Sequence, residues 1–204
     1  MQSNRLVSLW LLLSTFIWLQ FVESLATNYI HGTTLQGLLY PSGTSFDLVA
    51  YSDANYTGCS NTWCSTSGWC IFLGPAFIFW KSKKHDRVYK SSTKSKYRAI
   101  SQAYAEIYWL QGLLAELGFS PCGPTSLYVD NTSVIHILVN PISHERTKHI
   151  KVDCHFIREA FEARTISLPH VFSNLQVADI FTKALTRQWH NFLLDKSMLM
   201  DNPH

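Results

Sequence analysis

A run of apolar and small residues that ends in a single carboxylate constrains the fold of this chain more than any other feature. Residues 48–54 are Leu-Val-Ala-Tyr-Ser-Asp-Ala, so that Asp53 closes the run. This pattern is typical of a buried strand that carries an acid to the edge of an α/β sheet where ligands bind. A second run ends at Asp130, and Asp179 lies within the apolar stretch 177–181. We therefore expect three carboxylates to converge on divalent metal, although a single strand-end acid is also a common cap or turn residue.

The composition favours a folded domain with one strongly basic stretch. Of the 204 residues, 47% are hydrophobic and 15% are charged, which excludes a largely disordered chain. The net charge is only +3, but eight Lys or Arg residues and a single acid, Asp86, lie between Lys81 and Arg98. Tyr89 and Tyr97 interleave with these cations. The stretch is typical of a surface that follows nucleic-acid phosphates, and a solvated basic face is the alternative.

The cysteines do not indicate a disulfide framework or a metal site. There are five of them, at positions 59, 64, 70, 122 and 154, and none has C-x-x-C spacing. An odd number cannot be closed entirely into disulfides. We interpret them mostly as small buried hydrophobic residues in a reducing compartment.

Residues 1–26 form a hydrophobic leader that differs from the rest of the chain. The segment 6–22 carries no charge and follows Arg5, and residues 24–26 (Ser-Leu-Ala) resemble a small-residue cleavage site. This arrangement favours a signal peptide or an anchor that contacts the membrane through residues 6–22, present as an extra N-terminal helix. A buried core helix is the alternative.

The remaining chain predicts a layered α/β domain. Gly74-Pro75 separates two apolar runs and predicts a hairpin. Apolar residues then recur at helical spacing from about Thr93 to Leu117, which predicts the longest helix. The other predicted elements are strands at 47–54, 125–130 and 166–171, and helices at 132–139, 152–164 and 176–185.

The order of these motifs resembles the ribonuclease H domain at the end of the Pol polyprotein of copia-type retrotransposons, in a degenerate copy. The resemblance covers about residues 29–190 and is carried by stretches 51–54 (Tyr-Ser-Asp-Ala), 65–68 (Ser-Thr-Ser-Gly), 82–84 (Ser-Lys-Lys), 91–93 (Ser-Ser-Thr), 130–131 (Asp-Asn), 144–150 (His-Glu-Arg-Thr-Lys-His-Ile), 153–156 (Asp-Cys-His-Phe) and 178–183 (Ala-Asp-Ile-Phe-Thr-Lys). It implies a mixed five-stranded sheet flanked by helices over residues 47–190. Residues 27–46 would be a linker resembling the tail of the reverse-transcriptase region, and residues 191–204 a C-terminal tail.

The resemblance also implies an activity and its ligands. Ribonuclease H enzymes cut the RNA strand of an RNA–DNA hybrid with two Mg²⁺ ions held by acids, and no small-molecule substrate is expected. Asp53, Asp130 and Asp179 match three of the metal-binding acids. His170 matches a mobile histidine of the family, and an ordinary loop histidine is the alternative. The implied nucleic-acid contacts are Lys83, Lys84, Arg87, Lys90, Ser91 and Ser92.

The fourth acid of the family is missing from this chain. The family pattern at the start of the long helix is Ser-Ser-Thr-Glu-Ala-Glu-Tyr, whereas residues 91–97 are Ser-Ser-Thr-Lys-Ser-Lys-Tyr. Lys96 thus places an ammonium at the position of a metal-binding carboxylate. An ammonium cannot coordinate Mg²⁺ and repels it, so weakened metal binding and impaired catalysis are expected.

Three functions remain open from the sequence. The chain is an active ribonuclease H, a hybrid-binding but catalytically inactive descendant, or a secreted or membrane-anchored protein with a non-enzymatic role on the same fold. Lys96 favours the second over the first. The family implies a cytoplasmic or nuclear location, whereas the leader and the acceptor tripeptides at Asn55 and Asn131 favour the third.

Overall fold

The computed structural model describes residues 36–38, 45–56, 63–86, 91–119, 123–139, 151–196 and 199–201. The predicted leader at 1–26, with its extra helix, lies outside these residues, as does most of the predicted linker at 27–46. Within the described ranges, none of the helices combines the length and the apolar character that crossing a membrane requires.

Five of the strands form one mixed sheet, which confirms the predicted fold class. Its strand order is β4-β3-β2-β5-β6. β4 pairs with β3 and β3 with β2 in antiparallel, whereas β2 pairs with β5 and β5 with β6 in parallel. The strands, in chain order, are β1 Gln36–Leu38, β2 Leu48–Asn55, β3 Thr66–Leu73, β4 Ala76–Lys84, β5 Thr125–Tyr128, β6 Ile166–Ser167 and β7 Leu199–Asp201.

The predicted hairpin joins β3 to β4 at Gly74 and Pro75. Gly74 has a φ of 57°, a region that glycine reaches without a steric penalty. Its N–H donates to the carbonyl oxygen of Asp47 at 2.8 Å, which ties the turn to the start of β2. β2 and β3 then pair in a register that sets Asp53 opposite Gly68.

Four α-helices complete the layers, and the first is the longest in the described part of the chain, as predicted. Its N-cap is Ser91, whose side chain accepts the N–H of Lys94 at 3.2 Å, and Gly118 with a φ of 85° follows its end. The helices are α1 Ser92–Glu116, α2 Thr132–Val139, α3 Lys151–Glu162 and α4 Arg187–Lys196.

α1 packs on the sheet through the apolar face that the sequence predicts. The residues of this face are all buried: Ile100, Tyr104, Ile107, Leu110 and Leu114. Each fully buried apolar side chain of this size contributes about 1.5–3 kcal/mol to the free energy of folding. The helix is therefore held firmly against β2, so its first turn has a fixed position relative to the acids of the sheet.

The last strand of the sheet is shorter than predicted. Sequence reasoning extends it over residues 166–171, but β6 ends at Ser167 and the chain continues beside β5 through backbone bonds to Val129. The Val129 N–H donates to the carbonyl oxygen of Pro169 at 3.2 Å, and Val171 N–H donates to Val129 at 2.9 Å. Proline lacks an N–H and cannot contribute a donor to a regular ladder, which accounts for the interruption.

The helix predicted over 176–185 is absent from the structure, and a 3-10 turn at Val177–Phe181 takes its place. Gln176 begins the turn. Its side-chain oxygen accepts the N–H of Ala178 at 3.2 Å, and its side-chain nitrogen donates to the carbonyl oxygen of Ser52 at 3.2 Å. The buried amide thus caps the turn and fastens it to β2.

A second, two-stranded sheet joins β1 to β7. Gln36 lies opposite Asp201, and Leu38 lies opposite Leu199. Both strands fall in segments for which the sequence predicts a linker and a tail. Strands this short carry too little periodicity to be recognised before their partner is known.

Candidate active site

Two of the three predicted acids lie side by side at the carboxyl ends of neighbouring parallel strands. β2 and β5 pair in register, with Tyr51 opposite Tyr128. Two residues further along, this register brings Asp53 beside Asp130. The Asp53 side chain is buried, and that of Asp130 is only 10% exposed. This edge of a sheet is where open α/β folds bind their ligands.

The third acid, Asp179, comes from the 3-10 turn that Gln176 fastens to β2, and its side chain is buried. The turn also approaches β3 very closely at Gly68. A Cβ atom at this position would lie 2.7 Å from the side chains of both Phe181 and Thr182. Only glycine therefore permits the approach that places Asp179 near the other two acids.

Lys96 lies between the first two acids. Its Nζ is 3.0 Å from Oδ1 of Asp53 and 2.5 Å from Oδ1 of Asp130. The side chain is 15% exposed and projects from the N-terminal end of α1, of which Lys96 is the fifth residue. The sequence predicted an ammonium near the acids, and the structure places it in direct contact with two of them.

A second ammonium, that of Lys183, joins the third acid to the first. Its Nζ is 2.7 Å from Oδ1 of Asp179 and 3.5 Å from Oδ2 of Asp53. The hydroxyl of Thr182 donates to the same Oδ2 of Asp53 at 2.5 Å. Both oxygens of Asp53 are therefore occupied by donors that belong to the chain itself.

The pKa of Asp53 is held below its ordinary value. Burial opposes this shift because it penalises the charged carboxylate. The ammonium groups of Lys96 and Lys183 and the hydroxyl of Thr182 outweigh burial, because they favour the ionised form. Asp53 is therefore ionised throughout the neutral range.

The pKa of Asp179 shifts the other way, to about 6. Burial is the main cause, and the carboxylates of Asp53 and Asp130 add to it, while the hydrogen bond from Lys183 opposes it. Burial also opposes the charge of Lys183, but the neighbouring carboxylates raise the pKa of its ammonium. Because about 6 lies below neutral pH, Asp179 and Lys183 form a charged pair at pH 7.

The acid cluster, defined as Asp53, Asp130 and Asp179, does not fit a divalent cation in this arrangement. Mg²⁺ requires oxygen ligands in a near-octahedral shell at about 2.0–2.1 Å. The ammonium groups of Lys96 and Lys183 instead lie between the carboxylates. In the part of the chain that the structure describes, no three His, Cys, Asp or Glu side chains are grouped to share a metal ion.

His170 is connected to the acid cluster through the backbone of the strand that carries Asp130. It forms an isolated parallel bridge with Val129, the residue that precedes Asp130. Its side chain is exposed, and its ring meets that of Phe172 edge-on at 5.5 Å between centroids. The structure thus puts this histidine beside the strand that carries Asp130, and its role in proton transfer or product release stays a prediction.

The predicted nucleic-acid contacts that the structure describes lie at the end of β4 and at the start of α1. Lys83 and Lys84 are exposed at the end of β4, and Ser91 and Ser92 are exposed where α1 begins. Arg87 and Lys90, in the connection between these elements, lie outside the described residues.

Sequence reasoning missed the donors that organise the cluster. The sequence identifies Lys183 and Thr182 only as part of a family motif, and Gln176 only as the first residue of a predicted helix. It assigns none of them a contact with the acids. The four-residue spacing of Asp179 and Lys183 could have suggested their ion pair, since that spacing brings side chains together on a helical turn. Nothing local indicates that Thr182 reaches Asp53, 129 residues away in sequence.

Comparison with known sequences gives long matches to transposon proteins. The chain is 38% identical over 160 residues to the retrovirus-related Pol polyproteins from transposons RE1 and RE2 of Arabidopsis thaliana. The match covers 78% of this chain and 11% of each relative. No family model matches the chain.

Comparison with solved structures identifies the fold. LC11-RNase H1, isolated from compost by a metagenomic approach, aligns with a TM-score of 0.52 and 13% identity over 74% of this chain and 98% of that one. The same protein in complex with an RNA/DNA hybrid aligns with a TM-score of 0.50 and 12% identity over 67% and 94%. At such low identity, these matches establish the fold alone.

The mixed sheet and its flanking helices therefore have a ribonuclease H-like fold, and this fold defines the structural class of the protein. Within that class, the chain is homologous to a segment of the Pol polyproteins of plant retrotransposons. The resemblance inferred from its motifs is confirmed.

Proposed function

We propose that this chain is a hybrid-binding domain, descended from the ribonuclease H of a retrotransposon, that does not cleave RNA. The observation that carries the proposal is the ammonium of Lys96, which lies within 3.0 Å of both Asp53 and Asp130. Two-metal hydrolysis needs cations that bridge such carboxylates to the reacting phosphate. We place its action in the cytoplasm or nucleus, where RNA–DNA hybrids occur.

Binding of the hybrid depends on groups that the cluster does not use. Lys83 and Lys84 are exposed on β4, and Ser91 and Ser92 are exposed where α1 begins. Neutralisation of phosphates by lysine needs no divalent metal, and 2′-hydroxyl contacts distinguish RNA from DNA. The solved complex of LC11-RNase H1 with an RNA/DNA hybrid supports this partner by analogy of fold.

The binding test is a titration of an end-labelled RNA–DNA hybrid, followed by fluorescence anisotropy at several salt concentrations. We expect the affinity to fall as the salt concentration rises. The slope of the logarithm of the binding constant against the logarithm of the salt concentration should be about −0.9 for each phosphate neutralised. The double variant Lys83→Gln/Lys84→Gln should reduce the slope by about 2, whereas Lys196→Gln, an exposed cation on α4, should leave it unchanged. Binding without salt dependence would contradict the proposed phosphate-following surface.

The cleavage test uses the same hybrid with Mg²⁺ and resolves the products on a gel. We expect no cleavage above the protein-free control, because a deficit of about 4 kcal/mol in metal stabilisation alone slows the reaction roughly a thousandfold. Robust cleavage that disappears in Asp53→Asn would show that the acid cluster works despite Lys96, and would overturn the proposal.

A further inference from the structure

We propose that Lys96, which stands where the family has an acid, completes with Lys183 a set of built-in counter-ions that takes the place of divalent cations, so that this domain folds and binds its hybrid independently of divalent metal. The inference rests on the proposed function for the hybrid, and on the geometry of the acid cluster for the fold. A domain that has lost cleavage need not also fold and bind its hybrid independently of divalent metal, so this inference goes beyond the proposed function.

The contacts form one continuous chain of charges. Lys96 bridges Asp130 and Asp53, and Lys183 bridges Asp53 and Asp179, with ammonium-to-carboxylate distances from 2.5 to 3.5 Å. Asp53 is the central member, since its Oδ1 contacts one ammonium and its Oδ2 the other. Every carboxylate of the cluster thus contacts at least one cation of the chain.

Burial makes these counter-ions necessary. The side chain of Asp53 is completely inaccessible to solvent, and that of Asp179 is 6% exposed. Carboxylates removed from water and placed close together repel one another and destabilise the fold unless cations compensate them. A bound metal would compensate the negative charge of such a cluster only while it remains bound. Lysine ammonium groups are covalently attached to the chain, so a chelator cannot remove them.

Charge balance explains why adding a divalent ion brings no benefit. Three carboxylates and two ammonium groups leave a single net negative charge in the cluster. A divalent ion would have to displace an ammonium from the side chains that hold it, or remain beside it and be repelled. The resident cations therefore make the site indifferent to Mg²⁺.

Thermal unfolding in EDTA and in Mg²⁺, at matched ionic strength, tests the inference. The wild-type melting temperature should be the same in both buffers. Lys96→Met should melt at a lower temperature than the wild type in EDTA. Mg²⁺ at ~100 times its Kd should raise the melting temperature of this variant by about 5–10 °C. Lys183→Met should respond in the same direction. Lys196→Met removes an exposed ammonium outside the cluster and should remain insensitive to metal.

The wild-type result alone can overturn the inference, even if a variant fails to fold. A rise in the wild-type melting temperature with Mg²⁺ similar to that of Lys96→Met would mean that the lysines do not replace the metal. Hybrid affinity measured in the same two buffers supplies the second reading, and affinity that requires Mg²⁺ would also overturn it. Absence of hybrid binding in both buffers, together with metal-insensitive unfolding, would instead refute the proposed function and leave the counter-ion role intact.

Discussion

The hydroxyl of Thr182 donates a hydrogen bond to the buried carboxylate of Asp53 at 2.5 Å, although 129 residues separate the two in sequence. This contact joins the 3-10 turn of the C-terminal part to the central strand β2. It therefore contributes both to the fold and to the geometry of the acid cluster.

Thr182→Val should destabilise the domain. Valine keeps the shape of the side chain but removes the donor, and a buried charged acceptor that loses a partner costs about 1–3 kcal/mol. Urea unfolding measures the change in the free energy of unfolding. Thr182→Ser retains the hydroxyl and should lose less. Equal stability of the two variants would show that the hydrogen bond contributes nothing measurable.

Gly68→Ala should push the 3-10 turn away from β3. The new methyl group would lie 2.7 Å from Phe181 and Thr182, and overpacking of this kind costs about 1–3 kcal/mol. The matched control is Gly112→Ala on α1, where a Cβ meets nothing within 4 Å and helix propensity predicts a gain of up to about 1 kcal/mol. The two changes should shift the urea midpoint in opposite directions.

His85 should make the domain less stable as the pH falls from about 7 to about 5. Asp179, whose pKa is raised to about 6, acts in the opposite direction because the folded state binds its proton first. Burial lowers the pKa of His85, with the charges of Lys83 and Arg98 adding to the effect, and its Nε2 lies 2.7 Å from the Ser67 hydroxyl. A histidine whose pKa is lower in the folded state binds its proton more readily when unfolded. Its contribution is therefore intact above the unfolded pKa of about 6.5 and is lost as the pH drops through that value.

His85→Gln removes the titrating ring while keeping a polar side chain opposite Ser67. As the pH falls from 8 to 5, the free energy of unfolding of this variant should fall less, or rise more, than that of the wild type. The same pH dependence in both proteins would show that His85 contributes nothing measurable.

The predicted signal at 6–22 has a direct test in cells. Entry into the secretory pathway would expose Asn55 and Asn131 to glycosylation. In the folded domain, however, Asn55 Nδ2 donates to the carbonyl oxygen of Thr182 at 3.3 Å, and Asn131 Oδ1 accepts the N–H of Val134 at 3.2 Å. We expect the expressed full chain to show no amidase-sensitive mass shift. A shift would favour the secreted or anchored alternative.

Elements fixed by short-range signals could be predicted from the sequence. α2 has the predicted bounds, 132–139, because Asn131 supplies a cap and Pro141 follows two residues after its end. The hairpin at Gly74 and the long helix α1 follow from equally local patterns. The acids at strand ends were also recognisable, since a buried run that stops at a carboxylate is itself a local feature.

Features that depend on contacts across the sequence could not be predicted in the same way. The 3-10 turn at 177–181 is fastened to β2 by the bond from Gln176 to Ser52, and only the assembled fold brings these two residues together. The same holds for Lys183, whose contact with Asp53 spans 130 residues. From the sequence, Lys96 is recognisable only as the replacement of a metal ligand, whereas in the structure its ammonium lies between two acids.

The pairing of β1 with β7 has a consequence for how such a domain can be carried by a longer chain. Because Gln36 lies opposite Asp201, the backbone enters and leaves the described domain about one strand spacing, ~4.8 Å, apart. Segments attached before and after it would therefore emanate from a single point on its surface. A domain whose two ends lie this close together can be inserted into a loop of another protein, or be released from a polyprotein, without any change to the path of its central sheet.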